Sequence, residues 1–345
     1  MTRRAPPGGI RALGRGLRRK AFDAVLHGLA GMAGGLPTLR RRSGAYTLTA
    51  DVVFARHGGE SLALDVLRPR GPGPHPAILY IHGGGFAVCS RQTHRPIAAL
   101  YAARGYLVFN IDYRLAPRHP FPAALQDAGA AWRWLAANLV RFGGDPGRVV
   151  VAGESAGANL ALGLVLCLCT RRPEPWAAEL HASALRPAAA LLYCGFLQAS
   201  RPERYRREGV SVLAAAIARD AAVDYLGEGA SDPRPDQALA DPLCIVEAMA
   251  GDPGLPPVFV AAGEADPVAP DSWRLAAALS RLGVPHALHR YAGETHAFHV
   301  MPWRDAAPRC WADTFAFLDG VQARSAGSAG AGLSRAASPG LPHDR

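Results

Sequence analysis

The sequence lacks any uninterrupted apolar run of the about 18 residues that a membrane-spanning helix needs. The longest candidate, GANLALGLVLCLCT at 157–170, stops short of that and reads as a buried helix. Cysteine is sparse and unpatterned. Cys89, Cys167, Cys169, Cys194, Cys244 and Cys310 have no disulfide-framework spacing, and no Cys/His grouping has metal-ligand spacing. We therefore expect a reducing, cytoplasmic setting with no structural metal. The N-terminal region lacks the apolar core and small-residue cleavage site of a secretory signal, and no apolar stretch follows Arg3-Arg4 closely enough for a twin-arginine one. No repeat of fixed period is visible.

Net charge is also scarce where it would matter most. The chain carries +10, with 38 basic and 28 acidic residues, but ten of the basic and one of the acidic residues lie in 1–42. The rest, with 28 basic and 27 acidic residues, is near neutral. A phosphate-tracking surface on that body is excluded, and the basic segment carries no recognised nucleic-acid motif or aromatic stacking set. No nucleic-acid partner is expected.

What is present suits a large globular fold. The 345 residues are 49% hydrophobic, enough for one large core or two modest ones. Apolar runs at 77–82, 106–112, 148–153, 188–194 and 257–263 read as buried strands, and His286 and His289 fall in a further one. Helical patterns alternate with them, as in Leu125, Ala128, Trp132, Leu135 and Leu139. This alternation predicts an α/β fold with a mostly parallel central sheet and helices on both faces. Segments 45–55 and 61–69 predict an antiparallel hairpin at one edge, turning at His57-Gly58-Gly59.

The stretch Gly153-Glu154-Ser155-Ala156-Gly157 follows VVVA and opens a helical pattern, which is G-x-S-x-G between a strand and a helix. Such a turn lifts the serine oxygen to the top of the sheet, over the positive end of a helix. A serine at its free pKa is a poor nucleophile, so a base and an orienting acid should follow. Asp266 lies just beyond the strand ending at 263, and His296 lies in a loop after another. The order Ser155, Asp266, His296 suits this sheet architecture, with each residue at its carboxyl edge. Asp271 and Glu264 are alternative acids, read as solvated or helix-start residues. His286, His289 and His299 are alternative bases. Gly83-Gly84-Gly85 ends a core strand about 70 residues before the serine, where backbone N–H groups could meet a developing oxyanion with Ala156. Glycine is expected there because a side chain would occupy the substrate's space.

In combination, HGGGF, DYRLAP with FPAAL, GESAGAN, and the later DP and H resemble the bacterial hormone-sensitive-lipase-like family of α/β-hydrolase carboxylesterases over about residues 45–320. The resemblance implies a triad of Ser155, Asp266 and His296, and an oxyanion hole lined by Gly84, Gly85 and Ala156 and shaped by Gly83. It makes His82 a scaffold for the glycine loop, and Asp112, Tyr113 and Arg114 supports for loops beneath the site. It also implies a soluble, cofactor-free enzyme, leaves room for a homodimer, and makes a small-molecule ester the substrate. The expected reaction is cleavage of short- to medium-chain esters through an acyl-enzyme. An amidase or N-deacetylase using the same triad is the alternative, and a non-catalytic binding member of the fold is a third reading.

Three features depart from the family pattern. Glu154 stands where the closest subgroup has aspartate, keeping the carboxylate but lengthening its reach. Arg118 stands where the family usually has glutamate, so a loop ion pair is lost or reversed. Segment 193–207 lacks the usual proline-rich loop and leads into a predicted cap helix at 210–226. The expected organisation is a basic N-terminal cap segment over 1–44, a catalytic domain over 45–322 with a cap insertion at about 197–240, and a disordered tail over 323–345. Within the first segment, residues 10–27 have the spacing of an amphipathic helix that would cover the mouth of the site, with no stable membrane insertion.

Overall fold

A computed structural model of the chain describes residues 14–20, 23–24, 43–206, 211–232 and 234–334. Its framework is an eight-stranded sheet: β1 (Tyr46–His57), β2 (Glu60–Pro69), β3 (His75–Ile81), β4 (Leu107–Ile111), β5 (Gly144–Glu154), β6 (Ala189–Tyr193), β7 (Val258–Gly263) and β8 (His286–Tyr291). The spatial order is β1-β2-β4-β3-β5-β6-β7-β8. β1 and β2 form the expected antiparallel hairpin, and β2 also runs antiparallel to β4. All remaining neighbours are parallel.

Side chains of a strand alternate between faces, and β3 displays this directly. Ala77, Leu79 and Ile81 belong to one apolar cluster, while Ile78 and Tyr80 belong to the other. The first cluster takes in α2 (Ala123–Asn138) and α3 (Ala156–Cys169), the second α1 (Arg91–Ala102) and the start of α8 (Ala306–Ser334). Strands buried on both faces read as near-continuous apolar runs, which is why β3, β4, β6 and β7 are legible in the sequence. Helix α3 is apolar all round, and its residues Ala156 to Leu168 are buried. It is a core helix, as its sequence suggests.

Further helices are α4 (Pro175–His181), α5 (Val212–Leu226), α6 (Pro242–Ala248) and α7 (Ala269–Arg281). α5 coincides with the predicted cap helix apart from its first residues. Of the expected N-terminal helix at 10–27, residues 14–20 and 23–24 are helical and 10–13, 21–22 and 25–27 lie outside the described residues. Three arginines of the helical part reach acids on and just beyond α5: Arg15 to Glu228 at 2.7 Å, Arg18 to Asp220 at 2.5 Å and Arg19 to Asp224 at 2.9 Å. At the other end, α8 continues to Ser334, into the segment expected to be disordered. Its alanines favour helix over the Gly and Ser that suggest otherwise. Residues 335–345 lie outside the described residues.

The close approach of α3 to the sheet sets the geometry of everything above it. A Cβ on Gly157 would lie 2.2 Å from the Ile81 carbonyl oxygen and 2.5 Å from that of His82. A Cβ on Gly153 would lie 2.3 Å from the Gly157 oxygen. Both obstacles are backbone, so neither can swing aside. Gly157→Ala should therefore lower the unfolding free energy by about 1–3 kcal/mol or more, as overpacking does. Gly229→Ala, where a Cβ meets nothing within 4 Å, should change it by less than about 0.5 kcal/mol. Equal denaturation midpoints for the two variants would refute this account of the packing.

Candidate active site

β5 ends at Glu154, and Ser155 turns the chain into α3 with φ 53° and ψ −118°. This is a strained conformation for a residue with a side chain. It is over-determined from both sides: the Ser155 N–H donates to Tyr193 O at 2.8 Å, and the Ser155 carbonyl accepts from Phe196 N at 3.2 Å. The Ser155 Oγ lies 2.9 Å from His296 Nε2, and His296 Nδ1 lies 2.9 Å from Asp266 Oδ2. Asp266 is buried, and its other oxygen accepts from Val268 N at 2.9 Å, which fixes the carboxylate. The fold thus brings together three residues separated by 30 and 141 positions, in the loops after β5, β7 and β8.

Burial works to lower the His296 pKa, but the charge of Asp266, its hydrogen bond and the more distant Glu154 outweigh it, and the net shift is upward. The carboxylate also favours the tautomer with the proton on Nδ1, leaving Nε2 to accept from the serine.

The alternative acids and bases are occupied elsewhere. Glu264 pairs with Arg290 at 2.9 Å on the surface. Asp271 does start a helix, α7, but it is buried and not solvated. It accepts from the N–H groups of Leu197 and Gln198 and from Tyr205 Oη at 2.6 Å, and pairs with Arg204 at 2.8 Å. It holds the loop after β6, whose backbone donors would otherwise be unmet in the interior. His286 and His289 lie in β8; His286 binds Val284 O and His289 faces Asp313. His299 Nε2 reaches Glu154 at 2.9 Å.

The glycine loop is shaped by its protein neighbours. A Cβ on Gly84, at φ +106°, would lie 2.3 Å from Val88 O; one on Gly83 would lie 3.1 Å from Glu154 O. One on Gly85, at φ +58°, would lie 3.1 Å from Ala221 of α5. Protein neighbours alone, namely the loop itself, the elbow and α5, thus oppose a side chain at these positions. Phe86 then stacks on Tyr225 of α5, with centroids 3.7 Å apart and planes 2° from parallel.

His82 lies beneath this loop, its Nδ1 2.7 Å from Gly83 O and its ring stacked on Tyr113 at 4.2 Å. Burial lowers its pKa to about 3, so it is neutral. The Tyr113 hydroxyl donates to His82 O at 3.0 Å. Asp112 accepts from Arg91 N at 2.7 Å and pairs with the Arg91 guanidinium. Arg114 makes a forked pair with buried Asp127, at 2.8 Å through Nη2 and 2.9 Å through Nε. Arg118 pairs with Glu60 at 2.6 Å, so its charge is met on the surface.

Glu154, the elbow acid, is buried among donors: His94 Nε2 at 2.7 Å, His299 Nε2 at 2.9 Å and Tyr80 Oη at 3.4 Å. Burial alone would raise its pKa, but His94 and His299 reverse that and hold it well below the usual carboxylate range. Sequence reasoning missed His94 and Asn159. The first had a signal, the S-x-x-T capping box of Ser90 and Thr93 that starts α1 and sets His94 in its first turn. Asn159 donates to Phe196 O and Ala240 O, tying α3 to the segment before α6.

The family model described as alpha/beta hydrolase fold matches residues 78–300. Among curated relatives, the acetyl-hydrolase of Streptomyces hygroscopicus is 37% identical over 229 residues, 66% of this chain and 68% of that one. Carboxylesterase NlhH of Mycobacterium tuberculosis is 46% identical over 87 residues, 25% of this chain and only 27% of its own length. Among solved structures, esterase LipW from Mycobacterium marinum superposes with a TM-score of 0.67 at 28% identity, covering 89% of this chain and 88% of that one. The chain belongs to the α/β-hydrolase fold family, in the hormone-sensitive-lipase-like group that its motifs resemble.

Proposed function

We propose that the protein is a carboxylic ester hydrolase acting through an acyl-enzyme on Ser155. The observation that carries this reading is the unbroken chain of 2.9 Å contacts from Ser155 Oγ through His296 to Asp266. His296 takes the serine proton as Oγ attacks the ester carbonyl, then returns it to the departing alcohol. Asp266 holds the imidazole in the required tautomer and stabilises its charged form. The backbone N–H groups of Gly84, Gly85 and Ala156 receive the oxyanion, with Gly83 shaping the loop. A water activated by His296 then releases the acid.

The acyl group is proposed to be short to medium. The wall near the glycine loop is made of α5, where Ala221 would lie only 3.1 Å from a Cβ on Gly85. Val212, Leu213 and Ile217 at the start of α5 offer exposed apolar surface for a few methylenes. In this reading α5 and the helical residues 14–20 form the cap. The name of the Streptomyces relative, acetyl-hydrolase, fits the same range.

Ser155→Ala should retain the fold, lose about 10³-fold or more in kcat, and no longer react with a fluorophosphonate probe. Labelling that persists at another serine would remove Ser155 from this role. Because Asp266 and Glu154 together raise the His296 pKa, and only neutral imidazole accepts the proton, kcat/KM should rise with pH through an ionisation above the ordinary 6.5. A midpoint at or below 6.5 would contradict that assignment. Each methylene buried should add about 0.8 kcal/mol until the chain meets α5, beyond which overpacking costs about 1–3 kcal/mol. A series of p-nitrophenyl esters should thus peak between acetyl and hexanoyl, with weaker turnover of the matching acetanilide. A maximum at long chains, or a rate jump on emulsified triglyceride, would point to a lipase.

A further inference from the structure

Cys194 directly follows β6 and is buried beside the His296–Asp266 pair, with φ +48°. Its N–H donates to Ala261 O at 2.7 Å. One donor atom each of Cys194, Asp266 and His296 lies within 4.8 Å of the other two, and no other such group occurs among the described residues. We propose that these three side chains form a binding site for a borderline-to-soft divalent cation of the Zn²⁺ or Cd²⁺ class, and that the ion switches the enzyme off.

The donor set selects the ion. Thiolate and imidazole with one carboxylate is a zinc-type combination, and it disfavours Mg²⁺ and Ca²⁺, which prefer all-oxygen shells. Bond lengths of about 2.0–2.3 Å put the ligand atoms of a tetrahedral site roughly 3.3–3.8 Å apart. The largest separation, which is at most 4.8 Å, must therefore close by at most about 1 Å, while the 2.9 Å contact between Asp266 and His296 opens slightly. His296 is the member free to adjust, with about a third of its side chain exposed against none of Asp266.

The proton balance explains the inhibition. On binding, the Cys194 thiol releases its proton to solvent and its sulfur bonds the ion. The neutral imidazole has one proton, on Nδ1 facing Asp266; when Nδ1 bonds the ion, that proton moves to Nε2. Nε2 faces Ser155 Oγ at 2.9 Å and then has no lone pair to accept the serine proton. The binding claim stands on the donor geometry alone, whereas the loss of activity rests on the proposed role of His296.

The test uses full-length, tag-free protein with Cd²⁺ and Zn²⁺ as probes. One Cd²⁺ per chain should produce a sulfur-to-metal charge-transfer band in the wild type and in Ser155→Ala, and none in Cys194→Ala or Cys194→Ser. Zn²⁺ affinity, measured against a chromophoric chelator, should fall by at least about 100-fold in the Cys194 variants, because loss of an outer-shell partner alone costs 10–100-fold. It should be unchanged in Cys244→Ala. X-ray absorption at the zinc edge of the wild type, which needs no variant to fold, should report one sulfur with nitrogen and oxygen neighbours. A sulfur-free shell, or equal Zn²⁺ affinity in wild type and Cys194 variants, would overturn the site. Zn²⁺ should also suppress ester hydrolysis, judged against each protein's own metal-free rate. If it binds as described but hydrolysis continues, the cation site stands and the role of His296 as base fails.

Discussion

One buried carboxylate ties the elements of the site together. Glu154 is the last residue of β5, and its side chain accepts from His94 on α1, His299 after β8 and Tyr80 on β3. Its backbone oxygen and side chain also close off the space beside Gly83. A charge taken out of water is costly unless paired and hydrogen-bonded, and here two imidazoles meet it. Removing one partner of such a pair costs about 3–5 kcal/mol, because the other is left uncompensated. The strained turn at Ser155, one residue on, depends on that anchorage, as does the glycine loop lying against it. The longer reach of glutamate over aspartate matters here, because the carboxylate spans from one imidazole to the other.

Much of this is legible in the sequence because it rests on local rules. Strands buried on both faces leave apolar runs, a hairpin leaves Gly58-Gly59, and an elbow leaves two glycines with no room for a side chain. The long-range polar contacts are not legible. Asp271 reads in sequence as a solvated or helix-start acid; it does start a helix, yet it is buried because the backbone of Leu197 and Gln198 needs an acceptor there. No sequence spacing links residues 73 and 74 positions apart. The same holds for His94 and His299, which meet Glu154 across 60 and 145 positions. It holds too for Cys194, whose neighbours Asp266 and His296 share no spacing pattern with it. Arg118 shows a milder form: the departure is visible, but only the fold reveals Glu60 waiting opposite.

Two kinds of contact hold α5 and residues 14–20 over the body. Phe86 stacks on Tyr225, Phe121 packs edge-on against the same ring, and Phe121 N donates to Tyr225 O at 2.9 Å. These tie α5 to the glycine loop and to the FPAAL segment that leads into α2, through apolar surface. Residues 14–20 are tied to α5 by arginine–carboxylate pairs, and Asp23 accepts from Cys89 N at 3.0 Å. The basic excess of the N-terminal region thus has an internal counterpart in the acids at 220, 224 and 228.

The two kinds of contact respond oppositely to ionic strength. Arg18–Asp220 is open to solvent on both sides and Glu228 is largely exposed, so dissolved salt screens these pairs within a Debye length of about 8 Å at physiological strength. Exposed pairs of this kind contribute only about 0–1 kcal/mol each even before screening. Arg19–Asp224 is better shielded and loosens last. The Phe86–Tyr225 stack gains from strongly excluded salts such as sulfate, which strengthen apolar burial. Brine of that kind would therefore free residues 14–20 from α5 while seating α5 more firmly on the glycine loop.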